Sequence, residues 1–242
     1  QPSVGSSAFA HKGGMHGNAV AKNSAPFGHI PPESVGNRRR VLVSDLSGGS
    51  NILLKAEEHD IHLDSKGPEV RQILAELKRL EAEGYEFESA DASFKVLVKK
   101  LLNAHARFFK LDGFRVIVEK RGPEETCISE ATIKIRVGDQ SEIAAAEGDG
   151  PVNALDLALR KVLTKFYPAI TGMRLKDFKV RILEGDEGTA AKTRVLVEST
   201  DGKAIWGTVG VSENIIEASW EALLDSVEHY LFEQGSKPAQ ST

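Results

Sequence analysis

Two histidines five apart, His11 and His16, flank the Gly13-Gly14 pair in the segment AFAHKGGMHGNAV, positions 8–20. An imidazole titrates near neutrality and can take or give a proton in a reaction. Paired glycines let the backbone approach a ligand or turn where other residues resist. The segment therefore suits acid–base chemistry, and it equally suits a loop with two solvated histidines. A second kind of chemistry is offered by two glycine-led junctions. Gly148-Asp149-Gly150-Pro151 runs into Val152-Asn153-Ala154, and Gly210-Val211-Ser212-Glu213 runs into Asn214-Ile215. Each precedes a predicted helix, whose first N–H groups and positive dipole end can hold a carboxylate or phosphate. Gly148 and Gly150 would admit a ligand close to the backbone, Val152, Ala154, Val211 and Ile215 would line an apolar pocket, and Asp149 would pair with an ammonium group. A small molecule with a carboxylate and a branched aliphatic side chain fits that mixture. The competing reading is that Asp149 and Ser212 cap their helices and bind nothing.

Other candidates are thinner. Arg38-Arg39-Arg40 could grip an anionic ligand through guanidinium forks or serve in ion pairs. His59 and His62 stand near Asp60 and Asp64, but that spacing matches no familiar metal scheme, so no metal is assigned. Cys127 has no neighbour that would activate it and is expected to pack. There is no Walker loop, dinucleotide fingerprint or zinc-metalloprotease motif in the sequence.

The elements that must position these residues fall into two regimes. The stretch 1–66 is rich in Gly, Ser, Asn and Pro. Breaks at Pro26, Pro31-Pro32, Gly48-Gly49 and Gly67-Pro68 leave it unable to bury a core alone. Helical periodicity then begins: Val70, Ile73, Leu74, Leu77 and Leu80 recur at three and four, with Pro68 in the first turn and Gly84 at the exit. A second amphipathic helix follows Asp91, capped by Asp91 or Ser93, and the two are expected to form a helical hairpin. From Phe114 the pattern is alternation, the signature of strands. There is also an internal repeat. Ala131–Gly148 lies on Thr193–Gly210 without a gap, matching Ile133, Ile135 and Ile143 with Val195, Val197 and Ile205. Helices are predicted over Pro151–Phe166 and Asn214–Phe232. With strands over Phe114–Arg121 and Met173–Glu184, two βββα units result. The expected class is α+β, a small helical linker subdomain followed by a pseudo-twofold βββα-βββα domain. Five segments follow: 1–25, a linker subdomain at 26–66, a helical linker at 67–110, the βββα pair at 111–234, and a polar, disordered tail at 235–242.

Composition bounds the function. Of 242 residues, 40% are hydrophobic and 27% charged, with a net charge of −4 and one cysteine. Mild acidity without a basic run argues against nucleic acid as a partner. A single cysteine excludes an internal disulfide framework and fits a reducing cytoplasm. No apolar run reaches the ~20 residues of a membrane span, so a soluble, cytosolic protein with no membrane partner is expected. Gln1 in place of Met suggests a piece of a longer chain.

The segments FAHKGGMHGNAV and HIPPESVGNRRRVLVSDLSGGSN resemble the region that follows the catalytic barrel in the α-isopropylmalate synthase/citramalate synthase family. GDGPVNALDLALRK and WGTVGVSENIIEASWEAL resemble the two junctions of that family's C-terminal regulatory domain. The likeness runs from about Ser7 to Phe232 and is greatest to the citramalate synthase branch. It implies a parent acyltransferase that condenses acetyl-CoA with a 2-oxo acid, pyruvate in this branch, on a divalent metal held by a TIM barrel outside the present sequence. By itself this stretch is then expected to be inactive and to need no cofactor. His16 takes the place of the family histidine that reaches the partner's barrel and assists proton transfer, with Met15 replacing the common Ile. The catalytic tyrosine of some leucine-branch members would fall near Arg38 or Arg39, where it is not found. The resemblance further implies a homodimer that binds isoleucine, or leucine in the isopropylmalate branch, as feedback effector. A ligand-free dimerisation module is the competing expectation.

Overall fold

The computed structural model describes residues 10–12, 40–42, 53, 56–57, 61–64, 67–102, 107–183 and 191–237. They divide between two compact units: the first takes in residues up to 88 together with 97–102, the second residues 89–96 and 103 onward.

In the first unit β1 (Ala10–Lys12) pairs in parallel with β2 (Arg40–Leu42). Helix α1 (Pro68–Glu83) begins where Pro68 fixes a helical φ and gives up an N–H that would have no partner. Val70, Ile73 and Leu77 are buried along one face. The helix ends at Gly84, whose φ of 107° lies in the left-handed region that suits glycine. These limits agree with the periodicity. Helix α2 (Asp91–Leu101) starts about one turn earlier than a Ser93 cap requires. Ser93 is instead buried inside the helix, in the part that belongs to the second unit. Its Oγ donates to Asp225 Oδ2 at 2.8 Å and accepts the Val209 N–H at 3.0 Å. The correction has a simple cause: a hydroxyl can cap a helix or satisfy the open edge of a strand, and here the strand claims it.

The second unit holds two antiparallel three-stranded sheets. The first has the order β3 (Lys110–Glu119), β4 (Ile128–Val137), β5 (Gln140–Gly148), and the second β6 (Arg174–Ile182), β7 (Thr193–Thr200), β8 (Ile205–Ser212). Helix α3 (Pro151–Leu163) follows β5 and packs on β4 and β5. Helix α4 (Ile215–Glu233) follows β8 and packs on β7 and β8. This is the expected α+β class with a βββα repeat. One core serves both halves: Ile133, Ile135, Leu155 and Leu159 share a cluster with Val195, Val197, Leu223 and Leu231. Phe114 of the first half meets Trp220 of the second at 5.7 Å between ring centroids.

The repeat is not the gapless one that the sequence suggests. Both edge strands carry a bulge at matching places, Leu111/Gly113 and Leu175/Asp177. The central strands correspond as expected, with Ala131, Ile133 and Ile135 buried like Thr193, Val195 and Val197. The hairpins differ. Val137 pairs with Gln140 across a two-residue turn, whereas Thr200 pairs with Ile205 across four. Gly138 (φ 56°) and Gly202 (φ 87°) supply the left-handed residue that each turn needs. In the longer turn Asp201 Oδ1 accepts the N–H groups of Lys203 and Ala204 at 2.9 and 2.8 Å. Those hydrogen bonds, Ala204's first, hold the Asp201 carboxyl below its ordinary pKa. The pairing thereby shifts by four residues: Ile133 faces Ala144, eleven residues on, while Val195 faces Gly210, fifteen residues on. Gly148 ends its strand, but Gly210 lies two residues inside β8. The matched glycines are therefore not equivalent.

Candidate functional site

The first junction is built around Gly148, the last residue of β5. A Cβ there would lie 2.5 Å from the Ala154 nitrogen and 2.6 Å from Asn153 Oδ1, so the strand end needs glycine to reach the first turn of α3. The N–H of Asp149 donates to Asn153 Oδ1 at 3.1 Å, which locks that approach. Gly150 is the N-cap in extended backbone, φ −164°, and offers no side chain to the helix. Pro151 has no N–H to donate, and the Ala154 N–H is taken by Gly150 O at 2.9 Å. The N–H groups of Val152 and Asn153 thus face forward without a side-chain cap. Asp149 is exposed, Pro151 and Val152 are half-buried, and Ala154 is sealed in the core. A Cβ on Gly150 would meet nothing within 4 Å, so there is room beside this residue for a larger side chain.

The second junction is closed. Asn214 caps α4, its Oδ1 accepting from Ile216 N at 2.9 Å and Glu217 N at 3.4 Å. Ser212 Oγ accepts the Asn214 N–H at 3.1 Å and donates to Glu217 Oε2 at 2.8 Å. The Val211 N–H is held by Glu221 Oε2 at 3.1 Å. Carboxylates therefore already occupy the positive end of this helix, which a bound anion would have to displace. Val211 is buried and Ile215 is 41% exposed. A Cβ on Gly210 would fall 2.0 Å from Ala218 O and 2.9 Å from Glu221 Cβ, so this glycine serves the packing of α4 on β8. Neither Asp149 nor Ser212 is an N-cap. That role goes to Gly150, which directly precedes the expected helix start at Pro151, and to Asn214, because β8 runs on through Ser212.

Not foreseen was a buried ion pair on α3. Arg160 Nε donates to Asp156 Oδ2 at 2.8 Å, with the side chains only 15% and 6% exposed, and Arg160 Nη1 donates to Met173 O at 2.5 Å. Asp156 Oδ1 and Arg160 Nη2 have no hydrogen-bond partner among the described residues. The only sequence signal was the spacing of four, which solvated helix pairs share. A polar chain also runs through the second half, from Trp206 Nε1 to Ser226 Oγ at 2.9 Å and from Ser226 Oγ to Ser199 Oγ at 2.8 Å. His16, Arg38, Arg39, His59 and Asp60 lie outside the described residues, and of His11 and Arg40 only the backbone is described. Cys127 is exposed rather than packed. Its place between Gly122 and β4 leaves it no core to enter.

Among known proteins, the homocitrate synthase post-HMGL domain-like family matches residues 3–85. An (R)-citramalate synthase of Geobacter sulfurreducens is 55% identical over 241 residues, covering 98% of this chain and 46% of the relative. Those of Aquifex aeolicus and a Synechocystis species are each 50% identical, over 230 and 233 residues, covering 95% of this chain and 44% and 43% of theirs. The chain thus spans less than half the length of these relatives. No described helix is long and apolar enough to cross a membrane. Residues 88–231, which hold both junctions and both sheets, match the LeuA allosteric (dimerisation) domain, and the chain belongs to that family.

Proposed function

We propose that this chain is the regulatory, homodimerising region of a citramalate synthase, and that it binds isoleucine as feedback inhibitor. The observation that carries the reading is the uncapped start of α3 beside an exposed Asp149, in a chain that shares half or more of its residues with citramalate synthases. The effector's carboxylate would take the N–H groups of Val152 and Asn153, its ammonium would face Asp149, and its aliphatic chain would lie against Val152. The α4 junction, with Asn214 and Glu217 in place, supports the scaffold and not the ligand. In the parent, an acyltransferase, the catalytic part condenses acetyl-CoA with pyruvate, and His16 assists proton transfer. The divalent metal belongs to that part. Among the described residues no three His, Cys, Asp or Glu side chains converge, so none is assigned to it. Inhibition requires that isoleucine bind the inactive arrangement more tightly than the active one.

Calorimetric titration of the chain with isoleucine, leucine, valine and lysine tests the proposal. Isoleucine should give the tightest binding. Silence with all four would end the effector reading, and tighter leucine binding would transfer the chain to the isopropylmalate branch. A ligand-free dimerisation module is the second reading. Gly148 and Gly210 favour it, since the space of each missing side chain is filled by the protein's own helix.

A further inference from the structure

Edge strand β6 alternates sharply. Asp177, Lys179 and Arg181 share one face, and Phe178, Val180 and Ile182 share the other. The second set is directly opposite Val197, Val195 and Thr193 on β7, so it lies on the face that buries the core. Val195 and Val197 are covered because α4 rests on β7 and β8. Beyond that cover Phe178, Val180 and Ile182 are 38%, 42% and 69% exposed. The other edge strand repeats the arrangement at the same distance from its bulge. Phe114, Val116 and Val118 stand opposite Ile133, Ala131 and Ser129, and exposure again rises along the strand to 53% at Val118. A chain of ordinary composition does not leave two core-facing apolar stripes on open edge strands in water, because such edges invite uncontrolled pairing.

We infer that the exposed parts of these stripes, Phe178-Val180-Ile182 on β6 and Val118 beyond the half-buried Val116 on β3, are the surface on which a second copy of this chain docks. The inference rests on the reading that the chain dimerises, in keeping with its membership of a dimerisation-domain family, and it adds which face does so. Two stripes related by the internal pseudo-twofold present similar surfaces to a partner, which suits closure by a true twofold axis. The opposite faces, with Asp177, Lys179 and Arg181 on β6 and Arg115 and Glu119 beside Ile117 on β3, lie outside the contact. Docking covers the outer ends of the two stripes, where Val118 and Ile182 are 53% and 69% exposed.

Sedimentation velocity on the full chain decides the matter. The wild type should sediment as a species of twice 26.2 kDa. Val180→Asp places a carboxylate in the contact and should weaken dimerisation about 100-fold or more. Ile182→Lys should act in the same direction, and at a site already 69% exposed it does not threaten the fold of the protomer. Unchanged far-UV circular dichroism identifies a folded monomer. Ile143→Asp, on the opposite face of the first sheet and 61% exposed, should leave the dimer intact. Wild-type dimer affinity in both β6 variants, or its loss in Ile143→Asp alone, overturns the assignment of the face. A wild type that is monomeric at every concentration overturns dimerisation itself.

Discussion

The second glycine junction is the place where a ligand-binding and a packing explanation part company most clearly. Gly210→Ala adds one methyl group, and the site it would occupy is 2.0 Å from Ala218 O, 2.9 Å from Glu221 Cβ and 3.0 Å from the Ala218 carbonyl carbon. The nearest atoms are helix backbone, so no rotamer change relieves the contact. Restoring an ordinary separation of about 3.4 Å requires α4 to retreat from β8 by roughly 1.4 Å, against a core that is packed like a crystal. Overpacking of this kind costs about 3 kcal/mol. For a domain of this size that lowers the melting temperature by roughly 6–12 °C. Gly150→Ala is the internal control. Its Cβ would meet nothing within 4 Å, and its backbone is already extended. Removing a glycine's freedom from the unfolded chain then gives no loss, or a gain of about 0.5 kcal/mol. Differential scanning calorimetry of the three proteins reads both numbers. If Gly210→Ala melts within about 2 °C of the wild type, the close approach of strand and helix is not what requires this glycine.

Other perturbations follow the same logic. Gly150→Val should retain the fold, since its Cβ meets nothing within 4 Å, but abolish isoleucine binding by blocking close approach to the backbone at the start of α3; retained affinity with an unchanged melt would place the effector elsewhere. Arg160→Leu strands the buried Asp156 carboxylate and should cost about 3 kcal/mol. Combining it with Asp156→Leu should recover part of that loss; equal thermal melts for single and double variants would show that the pair is not coupled. Asp201→Asn should be less stable than the wild type near neutral pH. The folded carboxyl titrates below its ordinary 3.8, so its contribution is complete above that value and fades as pH falls through the lower folded value. A wild-type advantage that persists unchanged in strong acid would contradict the role of the Lys203 and Ala204 hydrogen bonds.

Much of the fold was legible because it rests on local rules. Pro68 and Gly84 bracket α1 through restrictions on φ that hold in any context. The alternation in Ile133, Ile135, Val195 and Val197 reports two half-buried sheets whatever packs on them. Legibility failed where a residue type has two uses and only the tertiary structure chooses. Glycine before a helix admits a ligand or admits the helix itself; at Gly210 it is the helix. Ser93 suits a cap and equally suits the N–H of Val209 on an edge strand. Asp156 and Arg160 show a spacing of four that is ordinary on a wet helix face, and nothing local says that this face is dry. Hairpin length was the most consequential ambiguity. Gly138-Asp139 and Asp201 through Ala204 both read as turns, but the longer turn goes with a four-residue shift in pairing that moves Gly210 out of register with Gly148.

That slip in register has a bearing on how a repeated domain divides its labour. Had the repeat been gapless, both helix starts would have carried the same backbone and the same chemistry, and two equivalent effector sites per chain would follow. Instead the two halves keep their sheets, edge bulges and shared core while their junctions diverge. At α4 the dipole is answered from within, by Asn214 at the cap and by Glu217 and Glu221 around it. At α3 a glycine stands where Asn214 stands in the other half, Pro151 removes one donor, and the next two donors remain uncapped. An internally satisfied helix end can only stabilise; an unsatisfied one is a standing source of free energy for an anion that reaches it. The pseudo-symmetry thus builds one platform twice, and the broken symmetry predicts one effector for each chain. Calorimetry should therefore give a stoichiometry of one isoleucine per protomer, and a value of two would restore Gly210 and Ser212 as a second site.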